Sequence, residues 1–160
     1  MQGRSVRLVG RDHARLLGGP ATRRLGAWTG PVTEWALVPA ERLGSVAPGS
    51  LDLITSVGAL CFVDDMDAVL AAAREALAPG GRLRFVEHVG RVGAAGRLQS
   101  WVDPFWSRLS FGCHIDRDVS GALRRAGFSM HSLDRFTLPT PVVVLRRWVR
   151  GVAAPVEVDP

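Results

Sequence analysis

Residues 51–87 constrain the fold more than any other part of the chain, because a helix-like segment lies between two strand-like ones. Leu51 to Val57, LDLITSV, is a β-branched run suited to a strand buried on both faces. Met66 to Leu77 carries apolar residues at helical spacing, and a Pro-Gly-Gly sequence at residues 79–81 ends it. Arg82 to Glu87 then predicts a second strand. This order predicts two parallel neighbouring strands joined by a right-handed crossover.

Strand-like and helix-like segments alternate through the first two thirds of the chain, and two strands are predicted to close it. The other predicted strands are Ser5 to Val9, Thr33 to Val38, Met130 to Thr137 and Pro141 to Leu145. The other predicted helices are His13 to Trp28 and Val119 to Ala126, the second ended by Gly127. Asp64 or Asp65 is placed to cap the helix that starts at Met66. The pattern predicts an α/β fold with an open, mostly parallel sheet.

Length and composition indicate one globular domain spanning residues 1–160. The chain has 47% hydrophobic and 22% charged residues, which is enough apolar material for one core. It contains no run of 18 apolar residues and no secretory leader pattern at the N-terminus. We therefore expect no membrane span and a cytoplasmic location.

The excess of positive over negative charge comes from the N-terminal part of the chain. The net charge of +5 arises within residues 1–30, which hold six arginines and a single acid, Asp12, whereas the remainder is balanced. All basic residues are arginine, and only Trp28 lies among the N-terminal ones. A surface that follows phosphates usually adds lysines and interleaved aromatic residues. Nucleic-acid binding is therefore disfavoured.

The two cysteines, Cys61 and Cys113, lie far apart in sequence. Their spacing matches neither a Cys-x-x-Cys pair nor a zinc motif, so it indicates no disulfide and no metal. We expect both to be reduced. Cys113 reads more as a small buried apolar residue than as a nucleophile.

Three predicted strand ends carry polar residues, and ligands of open parallel sheets lie outside the carboxyl ends of the strands. Asp12 follows the first strand, where it would either bind ribose hydroxyls or cap the next helix. Glu87 and His88 end the strand that starts at Arg82 and offer an acid and an imidazole for proton transfer. His114 lies in a glycine-flanked loop and is a similar candidate. For both histidines a structural hydrogen-bonding role stays open.

The segment between Val89 and Arg117 is rich in aromatic residues, including Trp101, Phe105 and Trp106. These side chains fit a helix face that packs on the sheet, and the alternative is that they form the wall of an apolar substrate cavity. His13 and His131 read as ordinary surface residues.

Several motifs together resemble class I S-adenosylmethionine-dependent methyltransferases of the type-11 branch. These motifs are Leu51-Asp52 at a strand start, Val63-Asp64 before a helix, Leu77-Ala78-Pro79-Gly80-Gly81 after it, Glu87-His88-Val89, Asp103-Pro104-Phe105-Trp106, and Gly112-Cys113-His114 with Arg117. The last three are typical of the subgroup that methylates small molecules, including thiols. The resemblance covers roughly residues 5–152.

The resemblance implies a Rossmann-like fold with a C-terminal antiparallel strand, and methyl transfer from S-adenosylmethionine to a small-molecule acceptor. His88 or His114 would be the base. The implied acceptor-binding residues are Glu87, Trp101, Trp106 and Arg117. The implied cofactor-binding residues are Asp12, Ala40, Glu41, Ser56 and Val57.

The chain departs from the family pattern at its N-terminus. The acidic-x-Gly-x-Gly-x-Gly loop is absent, Gly10 stands where the ribose-binding acid is usual, and Pro39-Ala40-Glu41 lacks the first acid of its motif. The first strand matches the family's second, and the last strand is reached normally near Leu145 to Val152. We therefore expect a missing N-terminal strand and helix, with self-association or a partner chain filling the gap. The alternative function is an inactive remnant that acts as a binding or assembly partner.

Overall fold

The computed structural model describes residues 40–156, so Asp12 and the elements predicted from Ser5 to Val38 lie outside the described residues. In chain order the elements are a 3₁₀ helix Ala40–Ser45, β1 Leu51–Val57, α1 Met66–Ala76, β2 Leu77–His88, α2 Gly93–Leu109, α3 Val119–Arg125, β3 Phe128–Thr137, a second 3₁₀ helix Val143–Leu145 and β4 Arg147–Pro155. The α/β fold is confirmed.

The four described strands form one mixed sheet in the order β1-β2-β4-β3. β1 and β2 are parallel neighbours, as predicted, and Ile54 pairs with Leu83 in their register. β4 lies between β2 and β3 and runs antiparallel to both. Three strands therefore share one direction, and the antiparallel strand is the C-terminal one. This arrangement confirms the predicted Rossmann-like sheet with its reversed last strand.

Helix α1 begins where the sequence predicts, because Asp65 caps it. The Asp65 carboxylate accepts a hydrogen bond from the Ala68 N–H at 2.9 Å. The buried face of the helix consists of Met66, Val69, Leu70, Ala73 and Ala76. Leu77, predicted as the last helical residue, is instead the first residue of β2.

Replacing Asp65 by alanine should lower the free energy of unfolding by about 1 kcal/mol, because the first turn of α1 loses its side-chain acceptor. Urea unfolding followed by circular dichroism measures the change. Asp64→Ala is the matched control, since the neighbouring carboxylate does not cap the helix. Equal losses in the two variants would contradict the assignment of the cap to Asp65.

β2 is longer than predicted because the Pro-Gly-Gly segment is part of it. Leu51 pairs with Leu77 and Leu53 pairs with Arg82, so residues between them form an irregularity in the ladder. Gly80 takes a positive φ of 75°, which a residue with a side chain rarely adopts. The segment therefore ends the helix and starts the strand within a few residues.

Two other predictions about the strands are wrong. Pro141 to Leu145 is not a strand; Val143–Leu145 forms a 3₁₀ helix and the last strand is Arg147–Pro155. Pro139 and Pro141, which precede this valine run, lack the N–H that a central strand needs. β1 is also not buried on both faces, because Thr55 and Val57 are exposed.

The core lies between α1, α3 and one face of the sheet. Its fully buried large side chains are Leu70, Leu83, Phe85, Ile115, Val119, Leu123 and Val149. α3 ends as predicted near Gly127, which has a φ of 79°. Across residues 40–156, no helix is both long enough and apolar enough to cross a membrane.

Candidate active site

Three separate segments meet beyond the carboxyl end of β2. Cys61 lies in the loop after β1, His88 ends β2, and Cys113 follows the turn after α2. The His114 N–H donates to the Cys61 carbonyl at 2.8 Å, which ties two of these segments together. The turn at Phe111 and Gly112 makes this approach possible, since both residues take positive φ. Residues distant in sequence thus form one cluster at the edge where ligands of such sheets bind.

The polar pair formed by Asp103 and His114 lies next to this cluster. His114 Nδ1 is 2.5 Å from Asp103 Oδ2, while Asp103 Oδ1 accepts the Ile115 N–H at 2.6 Å. The Asp103 side chain is buried, whereas that of His114 is 28% exposed. A carboxylate on Nδ1 holds the proton there and leaves Nε2 as an acceptor. The pair therefore has the geometry of an oriented general base.

His88 lies deeper than His114. It is 3% exposed, its Nε2 lies 3.1 Å from Cys113 Sγ, and its ring packs edge-on against Trp148 at 5.7 Å between centroids. Nδ1 has no hydrogen-bond partner among the described residues. His88 is therefore engaged with a thiol, whereas His114 is the histidine held by a carboxylate.

Cys113 is a free, buried thiol in an environment that favours its charged form. Interaction with the Cys61 thiol, reinforced by His88, lowers the pKa of Cys113 to about 5. The same interaction, together with burial, raises the pKa of Cys61. Their mutual interaction thus shifts the pKa values of the two thiols in opposite directions. Cys61 and Cys113 are not joined by a disulfide in this structure, and the expectation that both are reduced stays a prediction.

Glu87 is fully buried and braces the loop after β1. Its Oε1 accepts the Ser56 hydroxyl at 2.5 Å and the Ala59 N–H at 3.1 Å. Within the described part of the chain, Oε2 has no hydrogen-bond partner. Burial raises the pKa of Glu87 above its ordinary value. These contacts give Glu87 a bracing role, and its predicted contact with an acceptor stays a prediction.

Arg117 holds the loop that precedes α1. Its Nη2 donates to the carbonyl of Val63 at 2.7 Å. Its own carbonyl accepts the Gly90 N–H at 3.1 Å. Arg117 thus connects the segments that follow β1 and β2, and its role in acceptor binding is untested.

The aromatic residues of α2 do not share one environment. Trp101 is 81% exposed and Phe105 is 67% exposed, so the interpretation that they pack on the sheet is wrong for these two. Trp106 is half-buried, and its indole N–H, without a conventional hydrogen-bond partner in the described region, contributes to the low pKa of Cys113. Of the two tryptophans predicted to bind the methyl acceptor, Trp101 and Trp106, only Trp106 lies close to the cluster of Cys61, His88 and Cys113.

The predicted cofactor-binding residues divide into three groups. Ser56 and Val57 lie at the carboxyl end of β1, Ala40 and Glu41 lie in the first 3₁₀ helix, and Asp12 lies outside the described residues. Val57 is 64% exposed and is followed by Gly58 at a φ of 57°. The end of β1 is therefore open toward a ligand.

Sequence reasoning assigned no role to the Asp103 carboxylate. The motif that contains it, Asp103-Pro104-Phe105-Trp106, served only as part of the family resemblance. The available signal was an acid eleven positions before a histidine, separated by the glycine-containing turn.

Comparison with known proteins gives consistent matches. The family profile described as "Methyltransferase domain" matches residues 20–85. Human thiol S-methyltransferase TMT1A is 30% identical over 127 residues, which are 75% of this chain and 50% of that protein. The chain spans about half the length of this curated relative.

Solved structures show the same fold at low sequence identity. A putative methyltransferase from Bacillus halodurans superimposes with a TM-score of 0.68 at 14% identity, covering 94% of this chain and 84% of that one. The N-methyltransferase NodS from Bradyrhizobium japonicum, solved with S-adenosyl-L-homocysteine, gives a TM-score of 0.62 at 19% identity, covering 94% and 67%.

Proposed function

Because this chain belongs to the class I S-adenosylmethionine-dependent methyltransferase family, we propose that it methylates the sulfur of a small-molecule thiol. The observation that carries the proposal is the contact between His114 Nδ1 and Asp103 Oδ2. A thiolate is the nucleophilic form of sulfur, so a partly exposed base beside the strand ends suits a thiol acceptor. The name of the human relative supports the same acceptor class.

The strand ends fit a cofactor of this family. At the end of β1, Val57 is exposed and left-handed Gly58 has no side chain to block a ligand. Ser56 and Val57 would hold the cofactor together with Ala40, Glu41 and Asp12. When bound, S-adenosylmethionine supplies an electrophilic methyl group on a sulfonium.

In the proposed reaction, His114 Nε2 accepts the proton of the acceptor thiol, while Asp103 keeps the other ring proton on Nδ1. The acceptor sulfur forms a bond to the methyl carbon as the bond from that carbon to the sulfonium breaks. The products are a methyl thioether, S-adenosylhomocysteine and a proton on the imidazole. The main task of the protein is to position the two reactants in line.

The test uses the 160-residue chain with S-adenosylmethionine and a small thiol, and quantifies S-adenosylhomocysteine by mass spectrometry. We expect product to form with the thiol and to be lost when the matched alcohol replaces it. Calorimetric titration of S-adenosylmethionine without acceptor measures binding separately. Absence of binding would overturn the enzyme proposal and favour the inactive binding partner, whereas equal turnover of the alcohol would overturn the thiol assignment.

A further inference from the structure

We propose that Cys61, His88 and Cys113 form a binding site for one soft divalent metal ion, of which Zn²⁺ is the natural candidate. This inference is independent of the proposed methyl transfer, since it depends on different side chains. The three ligand atoms, two sulfurs and one imidazole nitrogen, all lie within 4.8 Å of one another. Thiolate and imidazole donors select zinc-like ions over Mg²⁺ or Ca²⁺, which prefer oxygen.

The spacing of the donor atoms fits a tetrahedral ion. With Zn–S bonds of about 2.3 Å and Zn–N bonds of about 2.0 Å, neighbouring ligand atoms are about 3.5 to 3.8 Å apart. His88 Nε2 and Cys113 Sγ are 3.1 Å apart in the structure, so small side-chain rotations suffice to admit an ion. Three segments of the chain supply the ligands, so an ion would join the loop after β1, the end of β2 and the turn after α2.

All three proposed ligands are buried, which distinguishes them from a cluster of polar side chains on the surface. Cys61 is 2%, His88 3% and Cys113 6% exposed. Apart from contacts inside the cluster, the described partners of the two sulfurs are weak, such as the Gly58 carbonyl at 3.6 Å from Cys61 Sγ. A metal ion bound to the two sulfurs and to His88 Nε2 would replace these weak contacts by strong bonds.

Three protein ligands leave one tetrahedral position for another ligand. Closed structural zinc sites use four protein ligands, whereas sites with three keep a position for water or a small molecule. We therefore assign the fourth position to water in the resting protein.

The experiment adds Co²⁺ and then Zn²⁺ to the 160-residue chain, reduced with a phosphine and stripped by chelator. Co²⁺ should give a 1:1 complex with tetrahedral d–d bands and a sulfur-to-cobalt charge-transfer band, and Zn²⁺ should displace it. Cys61→Ala and Cys113→Ala should each remove charge-transfer intensity and weaken binding by more than the 10–100-fold typical of losing an outer-shell partner. Circular dichroism verifies that each variant folds.

Two control variants test whether histidines outside the proposed site bind the metal ion. His131→Gln removes an exposed imidazole and should leave binding unchanged. His114→Gln removes a member of the second group of potential ligands, Asp103, His114 and Asp116, and should also leave the charge-transfer band intact. Binding that is lost with His114→Gln and retained in both cysteine variants would overturn the proposal.

A measurement on the unmodified chain covers the case in which the cysteine variants do not fold. Cys61 and Cys113 are the chain's two cysteines, so alkylation by iodoacetamide reports on this cluster alone. Zn²⁺ should slow alkylation of both and chelator should restore it. Unchanged alkylation rates, or an oxidised chain with a Cys61–Cys113 disulfide whose reduced form takes up no metal, would overturn the proposal.

Discussion

Replacing His114 by glutamine should lower kcat for methyl transfer to an ordinary alkyl thiol by about 10²–10⁴-fold, the usual contribution of a positioned general base. Glutamine keeps the polarity and much of the volume of the side chain but cannot accept the thiol proton. The assay is the mass-spectrometric measurement of S-adenosylhomocysteine with saturating acceptor. His131→Gln, the same substitution at an exposed histidine of β3, should retain activity.

Asp103 is a positioning residue in this proposal, so its variant needs a different readout. In Asp103→Asn the side-chain amide can donate to His114 Nδ1, which moves the ring proton to Nε2 and leaves no acceptor for the thiol. The Ile115 N–H keeps an acceptor at Oδ1. We therefore expect a large fall in kcat with little change in the binding of S-adenosylmethionine.

A methyl acceptor whose thiol is acidic distinguishes the loss of base catalysis from structural damage in the two variants. An aromatic thiol that is already ionised at neutral pH needs no base, so His114→Gln and Asp103→Asn should both recover most of their activity with it. If the variants are equally impaired with the acidic and the ordinary thiol, His114 does not remove the proton. Loss of S-adenosylmethionine binding in both variants would instead show that the pair supports the fold.

Local sequence signals predicted the β-α-β unit well. The apolar spacing of α1 and the cap at Asp65 depend only on neighbouring residues, and the β-branched run gave the bounds of β1. Parallel pairing of β1 with β2 then followed from the length of the crossover. These elements were predictable because local propensity and tertiary packing favour the same structure.

The candidate site was only partly predictable, because its members meet through topology. His88 and His114 were recognised as polar residues at loop positions, but the contact of Cys113 with His88 depends on how α2 and its terminal turn return to the sheet. Cys61 joins them from a third segment. No sequence spacing encodes that convergence, so the spacing alone indicated no metal site.

The last strand was misplaced because its sequence contains a glycine and two arginines, whereas the preceding valine run has the composition of a strand. Gly151 is required in β4 by close packing. A Cβ at this position would collide with the Ser132 carbonyl and approach Phe85 Cζ to 2.7 Å. Gly151 thus weakens the sequence signal for a strand, and its lack of a side chain leaves room for the Phe85 ring.

Phe85→Ala should accordingly be among the most destabilising single changes in this domain, with a loss of about 3–5 kcal/mol in the free energy of unfolding. The ring is 1% exposed, lies on the central strand β2 and covers Gly151 on the neighbouring strand. Its removal leaves a cavity on the face of the sheet beside Gly151, and the hydrogen-bonded backbones of β2 and β4 cannot move to close it. Guanidinium unfolding with an unchanged m-value measures the loss.

Phe105→Ala is the matched control, since it deletes the same side chain at a position that is 67% exposed, and it should change stability by no more than about 0.5 kcal/mol. Typical domains have a free energy of unfolding of only about 5–15 kcal/mol. The two variants should therefore differ measurably in the guanidinium concentration at the unfolding midpoint. Comparable midpoints for Phe85→Ala and Phe105→Ala would mean that β2 and β4 are not packed through Phe85 and Gly151. The placement of β4 beside β2, and with it the antiparallel end of the sheet, would then be wrong.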